Sequence, residues 1–127
     1  MSKKILVVDD DGLVLVTLKR LLKGVGYETV LARNGAEAIK KIRRKNCDLI
    51  ITDIRMPELN GIETIERIRE FLRTTQRNPI PELVITAYDT EENLKKIREL
   101  KVASLLIKPF DMRELLSCVE RRIEKKE

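Results

Sequence analysis

Five residues hold most of the chemistry this sequence offers. Asp9 and Asp10 follow the apolar run 5–8, Asp53 follows the run 49–52, Thr86 closes the run 83–85, and Lys108 follows the run 105–107. Carboxylates gathered in one pocket repel each other and stay ionised readily only beside a cation. An oxygen-only donor set with open positions suits Mg²⁺, which keeps several waters and binds through few carboxylates. A carboxylate, a hard metal ion, a lysine and a hydroxyl are the parts needed to hold a phosphoryl group in transfer. Taken singly, each residue has an ordinary reading: a strand-end Asp usually caps a turn or helix, a strand-end Thr packs, and a Lys before Pro is solvated. The weight lies in four strand ends agreeing in chemistry.

That agreement requires elements that bring the four ends together. Strands are expected at 4–9, 27–32, 49–53, 83–86 and 105–107, from short β-branched runs bounded by turn residues. Between them run helical stripes. The first is Leu15, Leu18, Leu21, Leu22 and Val25, stopped by Gly24 and Gly26. The second is Ala38, Ile39 and Ile42, capped by Asn34. The third is Ile62, Ile65, Ile68, Phe71 and Leu72, after a loop marked by Pro57, Asn60 and Gly61. A polar, Pro-marked connection spans 76–81. The segment 90–93 opens a fourth helix with Leu94, Ile97 and Leu100, its acids suited to the positive helix end. Asp111 starts a fifth with Met112, Leu115, Leu116, Val119 and Ile123.

Strict alternation of strand and helix predicts an α/β fold: a flavodoxin-like (βα)5, doubly wound parallel sheet with right-handed crossovers. Ligands of such sheets bind outside the carboxyl ends of the strands, and the order 2-1-3-4-5 sets the first and third strands side by side. Asp9, Asp10 and Asp53 then share one pocket.

Composition sets limits. A chain of 127 residues fits one domain, expected to span 1–127, and can bury a core without staples. With 3% aromatics the core must be Leu, Ile and Val. The sequence has no His, which removes His-based triads and the common zinc sites. The net charge of +5 is mild and interspersed, so direct nucleic-acid binding is not expected. Cys47 and Cys118 are too few and too far apart for a disulfide framework, which fits reduced thiols in a cytoplasmic protein. Apolar runs of a few residues give no membrane span.

Four motifs carry a resemblance over nearly the whole chain: residues 5–10, then Asp53-Ile54-Arg55-Met56-Pro57 with Gly61, then Val84-Ile85-Thr86-Ala87, then Lys108-Pro109-Phe110. Together they resemble the receiver domains of two-component response regulators, including the single-domain chemotaxis type. The resemblance implies a phosphorylation-dependent signalling domain rather than a conventional enzyme. Asp53 matches the phosphoacceptor. Asp9 and Asp10 match the acidic pair holding Mg²⁺, with Asp10 the more direct ligand, and the backbone carbonyl of Arg55 matches a further ligand. Thr86 matches the switch hydroxyl, Lys108 the lysine that pairs with the phosphoryl group, and Pro109 a proline that is typically cis. The implied donor is a phosphohistidine on a sensor histidine kinase or phosphotransfer protein. The implied output face is the fourth helix, fifth strand and fifth helix, where a phosphorylation-dependent homodimer is also compatible.

Two features depart from the family pattern. Leu105 stands where many members carry Tyr or Phe, which predicts a quieter switch in which Leu105 repacks toward Thr86. Tyr88, with Arg55, is placed to crowd a water attacking the phosphoryl group. The first helix also carries Leu13, Val14 and Val16 beyond its core stripe; tight packing explains this most simply, and a kinase-docking surface is the functional reading. The best rival is a haloacid-dehalogenase-like phosphatase, whose Asp-x-Asp motif would make Asp9 the nucleophile. Gly12 and Leu13 fit that motif poorly, Asp111 stands alone after the lysine, and Asp53 would be left unexplained. A pseudo-receiver, which binds but is never phosphorylated, is the remaining alternative.

Overall fold

A computed structural model describes residues 2–87 and 90–124. Strands and helices alternate from end to end: β1 (Lys4–Val8), α1 (Gly12–Gly24), β2 (Glu28–Ala32), α2 (Gly35–Arg44), β3 (Leu49–Asp53), α3 (Gly61–Thr74), β4 (Glu82–Thr86), α4 (Glu91–Leu100), β5 (Ser104–Ile107) and α5 (Met112–Glu124). The strands form one parallel sheet in the order β2-β1-β3-β4-β5, the expected flavodoxin-like arrangement.

Both faces of the sheet are covered. Ile5, Val7, Leu49, Ile51, Leu83 and Ile85 pack under α1 and α5, through Leu15, Leu18, Leu22, Leu115 and Val119. The alternate strand residues face the other helices: Leu6, Val8 and Ile50 meet Ala38, Ile42 and Ile68, while Val84 meets Ile65 and Ile97. The period of two along each strand therefore feeds two apolar layers, so β3 and β4 are buried at every position. Side-chain caps start the helices. Asp11 accepts from Leu13 N–H at 2.9 Å, and Asn34 accepts from Glu37 N–H at 2.8 Å. Asn60 and Glu63 form a reciprocal capping box, and the Thr90 hydroxyl accepts from Asn93 N–H.

The structure corrects several expectations. Val25 is not on the α1 stripe: the helix ends at Gly24, and Val25 caps it with 52% of its surface exposed before Gly26 turns the chain at φ +95. Met112 sits in the first turn of α5, ahead of the buried stripe of Leu115, Val119 and Ile123, and is exposed. Asp9 and Tyr27 fall just outside β1 and β2, whereas Glu82 and Ser104 lie inside β4 and β5. Glu82 is buried, and Arg69 of α3 makes the burial tolerable. The guanidinium donates to both carboxylate oxygens at 2.8 Å and to the Leu100 carbonyl at 2.6 Å, tying α3, β4 and the end of α4 together. Cys47 and Cys118 are both buried and unpaired.

One glycine is required by a close approach. Gly61 N–H donates to the Ile54 carbonyl at 2.9 Å, and a Cβ on Gly61 would lie 2.1 Å from the Asp53 carbonyl oxygen and 2.9 Å from the Ile54 Cα. Both obstacles are backbone, so neither can swing aside. Gly61→Ala is expected to destabilise the domain by about 2–3 kcal/mol. Urea denaturation checks this, and an unchanged midpoint would show that the loop after β3 is free to shift.

Candidate functional site

The register of the central strands builds the site. Val8 of β1 lies beside Thr52 of β3, so the next residues, Asp9 and Asp53, emerge abreast at the carboxyl edge of the sheet. Asp9 N–H donates to the Ala32 carbonyl at 3.1 Å, which extends the β1–β2 ladder by one bond and fixes its backbone. Its Oδ1 accepts from Asp11 N–H at 2.9 Å. Asp53 Oδ1 accepts from the N–H of Ile54 at 2.7 Å and of Arg55 at 3.4 Å, which leaves Oδ2 toward the pocket. Lys108 Nζ lies 3.4 Å from that Oδ2. This is longer than a tight charge-assisted hydrogen bond of about 2.8 Å, so it is an ion pair with slack.

Asp9, Asp10 and Asp53 each offer a carboxylate oxygen within 4.8 Å of the others. Asp9 and Asp53 are buried and Asp10 is exposed, so the cluster opens to solvent on one side. Burial pushes the Asp9 carboxyl from its ordinary 3.8 up to about 6. The Asp11 N–H opposes that shift, the charge of Asp53 adds to it, Lys108 opposes it and Asp10 adds weakly. The sequence argument stressed mutual repulsion; for Asp9, desolvation is the larger cause. An all-oxygen set of this charge and spacing fits a hard divalent cation.

The other expected residues are distributed as follows. Thr86 ends β4, is 1% exposed, and donates its hydroxyl to the Ala87 carbonyl at 3.0 Å. Lys108 N–H donates to the Thr86 carbonyl at 2.7 Å, linking the hydroxyl and the lysine through one backbone bond. The Lys108–Pro109 peptide is cis, as expected of Pro109. Arg55 is exposed, two residues beyond Asp53 on the same loop. Leu105 pairs with Val84 in register, two residues before the Thr86–Ile107 pair and on the same face, packed with Leu94, Ile97 and Leu100. Tyr88 lies outside the described residues. Sequence reading missed Asp11, whose backbone N–H steadies Asp9 while its side chain caps α1. An Asp directly before a Gly and a helical stripe is the signal that could have found it.

Of the surplus apolar residues on α1, Val14 packs on the core, while Leu13 and Val16 are exposed. Leu13, Leu18, Phe110, Met112 and Lys108 are among the residues lining an apolar hollow of about 220 Å³. Among the described residues, no helix is long and apolar enough to cross a membrane.

Comparison with known proteins converges on one family. The response regulator receiver domain family matches residues 5–120. The transcriptional regulatory protein ZraR of Klebsiella oxytoca is 43% identical over 112 residues, which cover 87% of this chain and 24% of that protein. The sporulation initiation phosphotransferase F of Bacillus subtilis is 30% identical over 121 residues, covering 95% of this chain and 94% of that protein. The chain thus spans about a quarter of the ZraR regulators and about half of the Bacillus subtilis regulator PhoP, at 51%. In structure it is similar to a CheY-like receiver domain protein of Methanospirillum hungatei, with TM-score 0.88, 26% identity, and coverage of 98% of this chain and 96% of that one. It is also similar to the chemotaxis protein CheY4 of Vibrio cholerae, with TM-score 0.84, 29% identity and coverage of 95% and 98%.

The raised Asp9 carboxyl has a measurable sign. Between about pH 4 and pH 6 the folded domain keeps a proton on Asp9 that the unfolded chain has released. Without a divalent cation, folded stability therefore falls as pH rises through that window, and the full cost is present above it. In EDTA, Asp9→Asn is expected to stabilise the domain at pH 8 by on the order of 2 kcal/mol, with the gain shrinking toward pH 4. Denaturation at the two pH values checks this; a gain that grows on acidification would reverse the assignment.

Proposed function

The chain belongs to the response regulator receiver domain family of two-component signalling, and from that premise we propose that it takes a phosphoryl group on Asp53 and changes its binding surface in response. The observation that carries this reading is the Asp53 carboxylate held between two acidic neighbours and Lys108, with Oδ2 turned to the lysine. Residues 1–127 act as one receiver unit in this proposal. Asp9, Asp10, Asp53 and the backbone carbonyl of Arg55 would hold Mg²⁺, which when bound neutralises charge on the transferring phosphoryl oxygens.

The residues of the chain do the rest. The Ile54 and Arg55 N–H groups orient Asp53 for in-line attack on phosphorus. A P–O bond forms to its carboxylate as the P–N bond to a donor phosphohistidine breaks, and the imidazole leaves with the electron pair. The donor is a sensor histidine kinase or a phosphotransfer protein, so the lack of His in this chain costs the mechanism nothing. Lys108 moves from Asp53 to the added phosphoryl charge, using the slack in its 3.4 Å ion pair. The Thr86 hydroxyl exchanges its bond to Ala87 for one to the phosphoryl group, and Leu105 repacks toward the space it leaves. The face of α4, β5 and α5, with exposed Ile107 and Met112, carries the output by a shift between two pre-existing states.

Against the phosphatase reading, Lys108 pairs with Asp53 Oδ2 rather than with Asp9 among the described residues. Intact mass after incubation with acetyl phosphate and Mg²⁺ separates the readings. A gain of one phosphoryl group that needs Mg²⁺ and vanishes in Asp53→Asn supports transfer to Asp53. A gain kept in Asp53→Asn and lost in Asp9→Asn would restore the phosphatase. No gain from either acetyl phosphate or a phosphorylated kinase would leave a pseudo-receiver.

We further propose that Leu13, Val16 and the hollow beside Lys108 receive the kinase helices, since exposed aliphatic side chains beside the acceptor can anchor a donor there. Leu13→Ser with Val16→Ser is expected to slow phosphotransfer from the kinase about tenfold, a loss of roughly 1.4 kcal/mol of transition-state binding, and to leave labelling by acetyl phosphate unchanged. Equal slowing with both donors would move the effect to the acceptor itself.

A further inference from the structure

The sheet has a second charged end. Opposite Asp53, at the amino ends of β4 and β5, lies a groove of about 1030 Å³. Arg69, Arg73, Arg77, Lys101 and Arg122 line it, against Glu82 as the one carboxylate. The cations come from α3, the loop after it, the residue closing α4, and α5, so no basic block is visible in the sequence. Pro79, Ile80 and Leu100 give the groove an apolar lining between them.

Two of the cations have structural employment. Arg69 neutralises Glu82, and Arg77 donates to the Ile42 carbonyl at 2.8 Å and the Asn46 Oδ1 at 2.9 Å, covering the end of α2. The other three are less fully engaged. Arg73 makes an exposed pair with Glu70, of a kind that contributes little and exchanges readily. Arg122 uses its Nε on Ser104 Oγ at 2.9 Å, and neither of its terminal nitrogens nor the Lys101 ammonium has an acceptor among the described residues. Three non-glycine residues have positive φ among the described residues, and two line this groove: Gln76 at 58° and Lys101 at 54°. Glycine is the residue that sits in this conformation without crowding. Both positions end a helix: Lys101 is the left-handed cap of α4 and Gln76 follows the cap of α3, with their N–H groups on the Arg98 and Arg73 carbonyls.

We propose that this groove docks an acidic amphipathic segment of a partner protein, with its aliphatic side chains on the Pro79–Ile80–Leu100 surface and its carboxylates on Arg73, Lys101 and Arg122. Charge complementarity selects the sign of the partner. The apolar lining calls for more than a bare anion. The volume lies at the upper limit of small-molecule pockets, which hold about 300–1,000 Å³, and an open groove of that size suits a helix laid along it. The lining has no aromatic ring on which a base could stack, which disfavours single-stranded nucleic acid. This site is independent of Asp53 chemistry and needs neither metal nor phosphoryl group.

The test is fluorescence anisotropy of the full chain with a labelled helical peptide of about 16 residues, roughly four turns, bearing Leu on one face and Glu on the other. Binding in the micromolar range is expected, weakened about tenfold by Arg73→Glu with Lys101→Glu and several-fold by 0.5 M salt. Arg122→Gln, which removes a single charge, should give a smaller loss in the same direction, and thermal melting confirms that each variant is folded. Replacing the peptide's Leu by Ser should abolish binding. The proposal is overturned if the peptide does not bind, if the charge-reversed variant binds it equally, if the Ser peptide binds as well, or if pyrophosphate or a DNA duplex at equal concentration displaces it.

Discussion

Gathering three carboxylates at one sheet edge, with two of them buried, is the constraint on which the rest of this molecule depends. Asp9, Asp10 and Asp53 bring oxygens within 4.8 Å of each other, and nothing in their own chemistry favours that. Aliphatic packing elsewhere holds them. β1 and β3 are adjacent because the strand order makes them so, and their register sets Asp9 beside Asp53. Both strands are buried against helices on two faces, where side chains such as Ile5, Leu49 and Ile50 are fully enclosed. Each fully buried aliphatic contributes about 1.5–3 kcal/mol, so a handful of them outweighs the electrostatic cost at the sheet edge. Backbone donors do the fine positioning: Asp11 for Asp9, and Ile54 and Arg55 for Asp53.

The elements of the sheet differ in how deeply they are buried. β3 is buried along its whole length, whereas β5 is an edge strand with Ile107 half exposed. α3 buries Ile62, Thr64, Ile65, Ile68 and Leu72, and α4 buries only Ile97. The Thr86 hydroxyl bonds to the carbonyl of the next residue, a local bond that rotation about one side-chain torsion can exchange. Asp53 and Thr86 thus end strands buried along their whole length, while β5 and α4 are the more exposed elements beside them. The Arg69 bond to the Leu100 carbonyl ties the far end of α4 to α3.

What was legible in the sequence follows from this division. Strand ends announce themselves, because a β-branched run that stops at an acid, a Thr or a Lys is short and local in sequence. The five strands were readable for that reason, and with the flavodoxin-like order so was the meeting of Asp9, Asp10, Asp53 and Lys108. What was not readable depends on contacts between distant residues. Glu82 reads as a loop acid until Arg69, thirteen positions earlier, is seen to embrace it. Gly61 reads as a turn residue until the Asp53 carbonyl is found where its side chain would be. Val25 and Met112 have the right type and nearly the right spacing for a core stripe, and they fail because α1 ends one residue before Val25 and Met112 is the exposed first residue of α5. The basic groove is the extreme case, since its five cations are spread over more than fifty positions and meet only in three dimensions.

The fold's own dipoles favour this separation of charge. In a parallel βα sheet the helices run against the strands, so helix starts gather at the carboxyl edge and helix ends at the amino edge. Acids at the first edge and cations at the second both sit in favourable fields, and Arg77 shows the mechanism directly by donating to the carbonyls that end α2. The same field accounts for the sign of the groove but not for its content. Dipole complementarity requires cations near exposed carbonyls; it does not require an exposed Pro79 and a half-buried Leu100 between them. That apolar surface between the cations is the physical reason for reading the second charged end as a surface built for contact.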